Sequence, residues 1–178
     1  ADGSRLIQKM SSTIDDFRNF FNPHKQKSIF VLQEAIEQVL KLVETSFRNQ
    51  DIAIGFEKGE DIRIEGYPNE FSQVILNALV NAKDAITGKK LTNGRITVAA
   101  HDRGNHVVVV ISDNAGGIPG DVLPRIFDPY FTTKEKGTGI GLYMSKMIVV
   151  DHMGGDIEAR NTPDGAEIVI SLPKPKRS

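Results

Sequence analysis

Val107-Val-Val-Val-Ile-Ser-Asp-Asn-Ala-Gly-Gly-Ile-Pro119 is the stretch whose reading decides the fold. Five β-branched residues in a row suit a buried strand, and an acidic residue followed by two glycines and a proline suits a turn at its end. A second glycine-bearing stretch follows at Gly137-Thr-Gly-Ile-Gly-Leu142 and opens an apolar run, Ile140 to Val150, of helical length. Glycine lets a backbone bend sharply and lets a ligand approach without a Cβ in the way. A helix start offers free N–H groups and a positive dipole end to phosphate. An acid at a strand end and a glycine-rich helix entry are thus suited to the two ends of one nucleotide. The glycine order is not the dinucleotide-binding G-x-G-x-x-G, and no G-x-x-x-x-G-K-[ST] occurs, so a P-loop is excluded.

Working outward, Tyr67-Pro68 begins a helix running to about Ile86, with proline where a first-turn proline is tolerated. Phe71, Val74, Ile75, Ala78, Ala82 and Ala85 are expected on its apolar face; Gln73, Asn77, Asn81 and Asp84 stack as a polar stripe. Leu76, Leu79 and Val80 leave little of this helix for solvent, so its amides need partners. Upstream, Ser28 to Val31 reads as a short strand. A helix follows with Leu32, Ala35, Ile36, Val39, Leu40, Val43 and Phe47 on one face. Ile52 to Phe56 and Ile62 to Ile64 read as strands. Arg95 to His101 and His106 to Ser112 read as a hairpin, as do Asp156 to Arg160 and Ala166 to Leu172 around Pro163-Asp-Gly165. The glycines of His152-Met-Gly-Gly155 end the helix before the last hairpin. Leu6 to Phe21 carries Ile7, Met10, Ile14, Phe17 and Phe21 at alternating three- and four-residue steps, a seam for packing on another helix.

Composition narrows the classes. The 178 residues fit one domain with an appendage, and a formal net charge of −1 gives no reason to expect nucleic acid as a partner. There is no cysteine, hence no disulfide and no thiolate metal site. No apolar run reaches transmembrane length, and the expected location is cytoplasmic, with a membrane anchor on a parent protein left open. The first residue is Ala, and the chain reads as a piece of something longer.

Asn77…Asn81-Ala-Lys-Asp84, Asp113-Asn-Ala-Gly-Gly117, Phe127-Asp-Pro-Tyr-Phe131 and Gly137-Thr-Gly-Ile-Gly-Leu142, in this order, resemble the N, G1, F and G2 boxes of bacterial sensor histidine kinases. The resemblance covers about residues 28 to 173. It implies the Bergerat ATP-binding fold: an α/β two-layer sandwich, a mixed and mostly antiparallel sheet of about five strands on about three helices, preceded here by an N-terminal helix. Residues 1–23 would be the end of the second dimerisation helix, 24–173 the catalytic domain and 174–178 a flexible tail.

The resemblance implies roles residue by residue. Asn81 would give a side-chain oxygen to Mg²⁺, and Asn77 would order water or support the metal site; these two are the catalytic candidates. Asp84 stands where many relatives have Lys and would act behind the site, with Lys83 a weaker phosphate candidate. Asp113 would accept a hydrogen bond from the adenine amino group. An acceptor there selects against guanine, which would leave it unpaired. Gly117 and Ile118 would follow it in the pocket wall. Ala115 departs from the usual D-x-G-x-G and demands a negative φ. Phe127 to Lys134, with Glu135 and Lys136, would be an ATP lid in which Phe131 joins the pocket and Thr132, Thr133 and Lys134 would meet phosphate. Gly137, Thr138, Gly139, Ile140, Gly141 and Leu142 would present backbone N–H groups to phosphate.

The implied activity is transfer of the ATP γ-phosphoryl to a histidine on a dimerisation domain, for relay to the receiver domain of a response regulator. The parent would be a homodimer, and this piece a monomer if half of a hairpin does not pair. None of His24, His101, His106 or His152 sits on a helix ahead of an acidic residue, so the acceptor is expected elsewhere. Two alternatives stay open: a serine kinase or ATPase of the same fold, and a nucleotide-binding module without catalysis.

Overall fold

The structure is a computed structural model, and it describes residues 27–131 and 141–175. In chain order these form β1 (Ser28–Val31), α1 (Leu32–Asn49), β2 (Ile52–Glu57), β3 (Arg63–Gly66), α2 (Pro68–Gly88), β4 (Gly94–Asp102) and β5 (His106–Asp113). A 3-10 turn at Leu123–Arg125, α3 (Gly141–Met147), a π-helical segment (Ile148–His152), β6 (Asp156–Asn161) and β7 (Ala166–Pro173) complete them. The expected helix over Leu6 to Phe21 lies outside the described residues.

A five-stranded sheet has the order β2-β4-β5-β7-β6, with β2 parallel to β4 and every other pair antiparallel. Strand period selects the buried face. Register lines up Val98, Ile111 and Ile168, and beside them Val109 with Ile170 and Val107 with Leu172. All of these are buried, whereas the alternate Val108 and Val110 are half-buried. β1 and β3 form a separate antiparallel ribbon that pairs Phe30 with Ile64.

The helices cover the buried face of the sheet. On α1, Leu32, Ala35, Ile36, Val39, Val43 and Phe47 are buried, as their spacing predicts. Its buried Gln33 is used as a tie. The amide donates to the carbonyls of Lys58 (2.9 Å) and Glu60 (2.8 Å) and accepts from the N–H of Ile62 at 2.8 Å. The β2–β3 loop is thereby held against the start of α1. α2 is the central helix, touching α1, α3, β4 and β5. Phe71, Val74, Ile75, Ala78, Leu79, Ala82 and Ile86 are its buried apolar residues. Ala85 was expected among them but is exposed. It lies in the last turn, where Ile86 takes the place against β4: its Cγ2 is 2.5 Å from where a Cβ on Gly94 would stand.

The run expected as one helix to Val150 changes form after Met147. Its last turn is π-helical and ends at His152, with Met153 N–H bonded to the carbonyl of Ile148 at 3.0 Å. His152 Nδ1 lies 2.9 Å from Oε1 of the buried Glu70, in the first turn of α2. The wider turn thus ends in a polar tie between the start of α2 and the end of this segment. Lys174, where the tail was expected to begin, places its ammonium 2.7 Å from both carboxylate oxygens of Asp102.

Candidate active site

The site begins with the polar stripe of α2. Gln73, Asn77, Asn81, Lys83 and Asp84 are all half-buried. Gln73 Nε2 donates to Asn77 Oδ1 at 2.9 Å, and Asn77 Nδ2 donates to the Gly141 carbonyl (3.0 Å) and the buried Ser145 Oγ (3.1 Å). The expectation that these amides need partners holds, and among the described residues no buried side-chain polar atom lacks one. Asn77 therefore grips the first turn of α3, and α3 approaches closely enough that a Cβ on Gly141 would lie 3.6 Å from the Asn77 side chain. Its role here is to fix the glycine end of the site against α2. Asn81 lies one turn further along the same stripe. Lys83 Nζ is 3.3 Å from Asp84 Oδ1, so the phosphate candidate is already engaged by its neighbour's carboxylate.

The other end of the site is the loop after β5. Asp113 Oδ1 accepts from the Ala115 N–H at 2.9 Å, an Asx turn that closes the loop on itself. Ala115 is buried and is not among the residues of positive φ; the left-handed positions fall on Gly116 (+85°) and Gly117 (+90°). This is why alanine is accommodated at 115 while the glycines stand at 116 and 117. Asn114 braces one side of the loop, accepting from Arg95 N–H at 2.9 Å and donating to the Asn93 carbonyl at 3.0 Å. The β6–β7 turn braces the other. Gly116 N–H donates to the Asp164 carbonyl at 3.1 Å. Asn161 accepts from Ile118 N–H at 2.7 Å and donates to the Ile118 carbonyl at 2.8 Å.

Lys89, just past α2, reaches this loop: its ammonium is 2.5 Å from where a Cβ on Gly116 would stand. The loop end therefore lies toward the C-terminal end of α2 and the Gly141 end beside Asn77. From Asn77 to Lys89 the helix rises about 18 Å, which suits an elongated ligand lying along the stripe.

Burial pushes the Asp113 carboxyl above the ordinary 3.8, while the N–H groups of Ala115 and Ala166 and the charge of Lys89 pull it partly back. A folded-state value above the unfolded one means that the contribution of this group to stability is full below the unfolded value. It is lost as pH rises through the folded one. Asp113→Asn removes that loss. The ligand-free variant is expected to match the parent near pH 3 and to become the more stable of the two as pH rises above 3.8, read as the gap between urea midpoints.

The segment between these ends carries Phe127, partly buried against the core, with Lys146 Nζ of α3 at 5.6 Å from its ring centroid. The Phe131 ring lies under the Arg125 guanidinium at 4.4 Å. Leu142 is packed on the core. Thr132, Thr133, Lys134, Gly137, Thr138, Gly139 and Ile140 lie outside the described residues. Gly165 packs its bare Cα against Asp113, a Cβ there standing 2.1 Å from the Asp113 carbonyl oxygen, and the sequence alone assigns no site role to it or to Asn114, Ser145 and Asn161. Pro163-Asp-Gly165 reads only as a turn, and Ser145 is hidden in an otherwise apolar run.

A family model described as "Histidine kinase-, DNA gyrase B-, and HSP90-like ATPase" matches residues 66–176, which takes in the stripe, both ends of the site and the bracing turn. The chain belongs to this ATPase family. Its likeness within the family is to histidine kinases. The catalytic domain of histidine kinase ThkA is 32% identical, with a TM-score of 0.77 over 84% of this chain and 97% of that one. ThkA in complex with the response regulator protein TrrA gives 28% identity and a TM-score of 0.74 over 98% of this chain and 50% of that one. Sensor histidine kinase ZraS of Salmonella typhi is 38% identical over 145 residues, 80% of this chain and 30% of the relative. The chain thus spans under a third of that curated relative's length. The sandwich of a mixed five-stranded sheet and three helices is the fold of these catalytic domains. No helix among the described residues is long and apolar enough to cross a membrane.

Proposed function

We propose that this ATP-binding domain serves a two-component sensor kinase, handing the γ-phosphoryl group of ATP to a histidine on a dimerisation domain, for relay to a response regulator. The observation that carries the reading is Asp113: a half-buried carboxylate at a strand end, followed by a loop whose two glycines take positive φ. An acceptor so placed suits the amino group of adenine. Residues 24–173 would form the catalytic domain, joined through residues 1–23 to the dimerisation helices of a homodimeric parent.

The donor set fits Mg²⁺ held largely by substrate. No cluster of three or more His, Cys, Asp or Glu suited to a metal exists among the described residues. The stripe offers the amide oxygen of Asn81, and magnesium often takes few protein ligands and completes its shell with water and phosphate oxygens. Bound there, it would neutralise charge on the phosphates. Asn81 would hold the ion. Asn77 keeps the start of α3 in place, and Asp84 holds Lys83 beside the stripe. Thr132, Thr133 and Lys134, with Gly137 to Gly141, would surround the phosphate chain. In the transfer the acceptor imidazole nitrogen forms a bond to the γ-phosphorus as the bond to the bridging oxygen breaks and ADP leaves. The protein contributes position and charge rather than a covalent step.

The test supplies a dimerisation domain with its histidine and measures Mg²⁺-dependent phosphotransfer from ATP. Transfer is expected with the parent chain and to fall by about a hundredfold or more in Asn81→Ala, because a ligand to the charge-neutralising ion is lost. ATP binding without transfer to any such domain would leave a nucleotide-binding module instead.

A further inference from the structure

Asn161, at the end of β6, and the turn that follows it to Gly165 are 48 to 52 residues beyond Asp113 in sequence, yet they bond to the Asp113 loop. Asn161 is exposed, so its amide is not there to fill the core. Both of its polar functions are spent on one residue of that loop: Oδ1 on Ile118 N–H at 2.7 Å and Nδ2 on the Ile118 carbonyl at 2.8 Å. A primary amide paired with both backbone groups of one residue fixes that residue's position and orientation together. The preceding Gly117 is held close as well, since a Cβ there would lie 3.1 Å from Asn161 Oδ1. Loops that bind ligands otherwise tend to open locally at little cost.

We infer that Asn161 is a positioning residue for nucleotide recognition: by pairing with both backbone groups of Ile118 it holds the Asp113–Ile118 loop in the shape that receives the adenine base. This rests on the adenine reading of Asp113. Both bonds of the Asn161 amide go to Ile118, in the loop that carries Asp113, so its effect belongs to the base end of the site. An aspartate in its place keeps the acceptor for the Ile118 N–H and loses the donor to the carbonyl, which predicts a graded series.

The test compares the parent chain with Asn161→Ala and Asn161→Asp. Amide hydrogen exchange is read at Gly117 and Ile118 without ligand, and calorimetric affinity is read for ATP, GTP and tripolyphosphate. Expected in Asn161→Ala are exchange at Ile118 faster by about tenfold, ATP affinity weaker by about tenfold with a narrowed ATP-over-GTP preference, and unchanged tripolyphosphate affinity. Asn161→Asp should fall between and covers the case in which the alanine variant does not fold. Unchanged Ile118 exchange overturns the positioning role whether or not nucleotide binds. Equal losses for ATP and tripolyphosphate overturn the base-end assignment. Faster exchange in a series whose parent shows no preference for ATP over GTP overturns the adenine reading, and with it this inference, while leaving the loop clamp standing.

Discussion

Asp113→Asn is expected to weaken ATP binding by about a hundredfold or more while leaving the fold intact. A hydrogen bond to a charged acceptor contributes about 1.5–3 kcal/mol. The amide that replaces the carboxylate also adds a donor that faces the adenine amino group when its oxygen stays on the Ala115 N–H. The carboxylate accepts that N–H at 2.9 Å, and the amide oxygen retains the bond, so the Asx turn survives. Stability and function therefore move in opposite directions at this position. The ion that burial disfavours in the empty protein is the one that adenine recognition, as proposed, would require. Within the parent, the same logic gives a pH dependence: the acceptor is lost as pH falls through a value raised above 3.8, so ATP affinity should weaken at a higher pH than for an ordinary aspartate. Calorimetry across pH, beside urea midpoints for both chains, separates the two effects. A variant that binds ATP as tightly as the parent would remove Asp113 from recognition.

Gly165→Ala should cost both stability and binding. A Cβ at 165 would stand 2.1 Å from the Asp113 carbonyl oxygen and 2.8 Å from Asp113 Oδ1. The first of these is backbone at the end of β5, paired with Ile96 of β4, so no flexible side-chain end can yield. The strain must push apart the turn and the end of β5, which overpacking of this kind makes costly by about 1–3 kcal/mol. The displaced atoms include the candidate base acceptor itself, so ATP affinity should fall by about tenfold or more even at temperatures where the protein remains folded. The measurement is a thermal melt by circular dichroism with ATP titration well below the midpoint. Gly88→Ala is the control, since nothing lies within 4 Å of a Cβ there. If Gly165→Ala melted and bound like the parent, the β6–β7 turn and the end of β5 would not be in the tight contact the geometry gives them.

Much of this was legible in the chain. The unbroken β-branched run of β5 with its acidic, glycine-bearing exit is local chemistry: β-branched residues suit a pleated, buried surface, and positive φ is cheap only for glycine. The face of α1 and the polar stripe of α2 follow from spacing alone, and even the demand that Ala115 have a negative φ could be made in advance. The exceptions lie where burial depends on a distant neighbour. Ala85 has the angular position of a core residue, but the last turn of α2 offers Ile86 to Gly94 instead. The run after Met147 has the composition of a plain helix; its π turn is seen together with a polar contact to Glu70, 82 residues away.

The sequence by itself determined most strand and helix assignments of the described residues, the order of the site's boxes and the residue types suited to base, phosphate and metal, because periodicity, turn chemistry and donor type are carried locally. Only the tertiary structure decided which of those residues hold the site in shape. Asn77 spends its amide on Gly141 and Ser145, and Asn161 spends its own on Ile118. A primary amide can pair with any backbone within reach, and what comes within reach is fixed by packing between elements far apart in the chain.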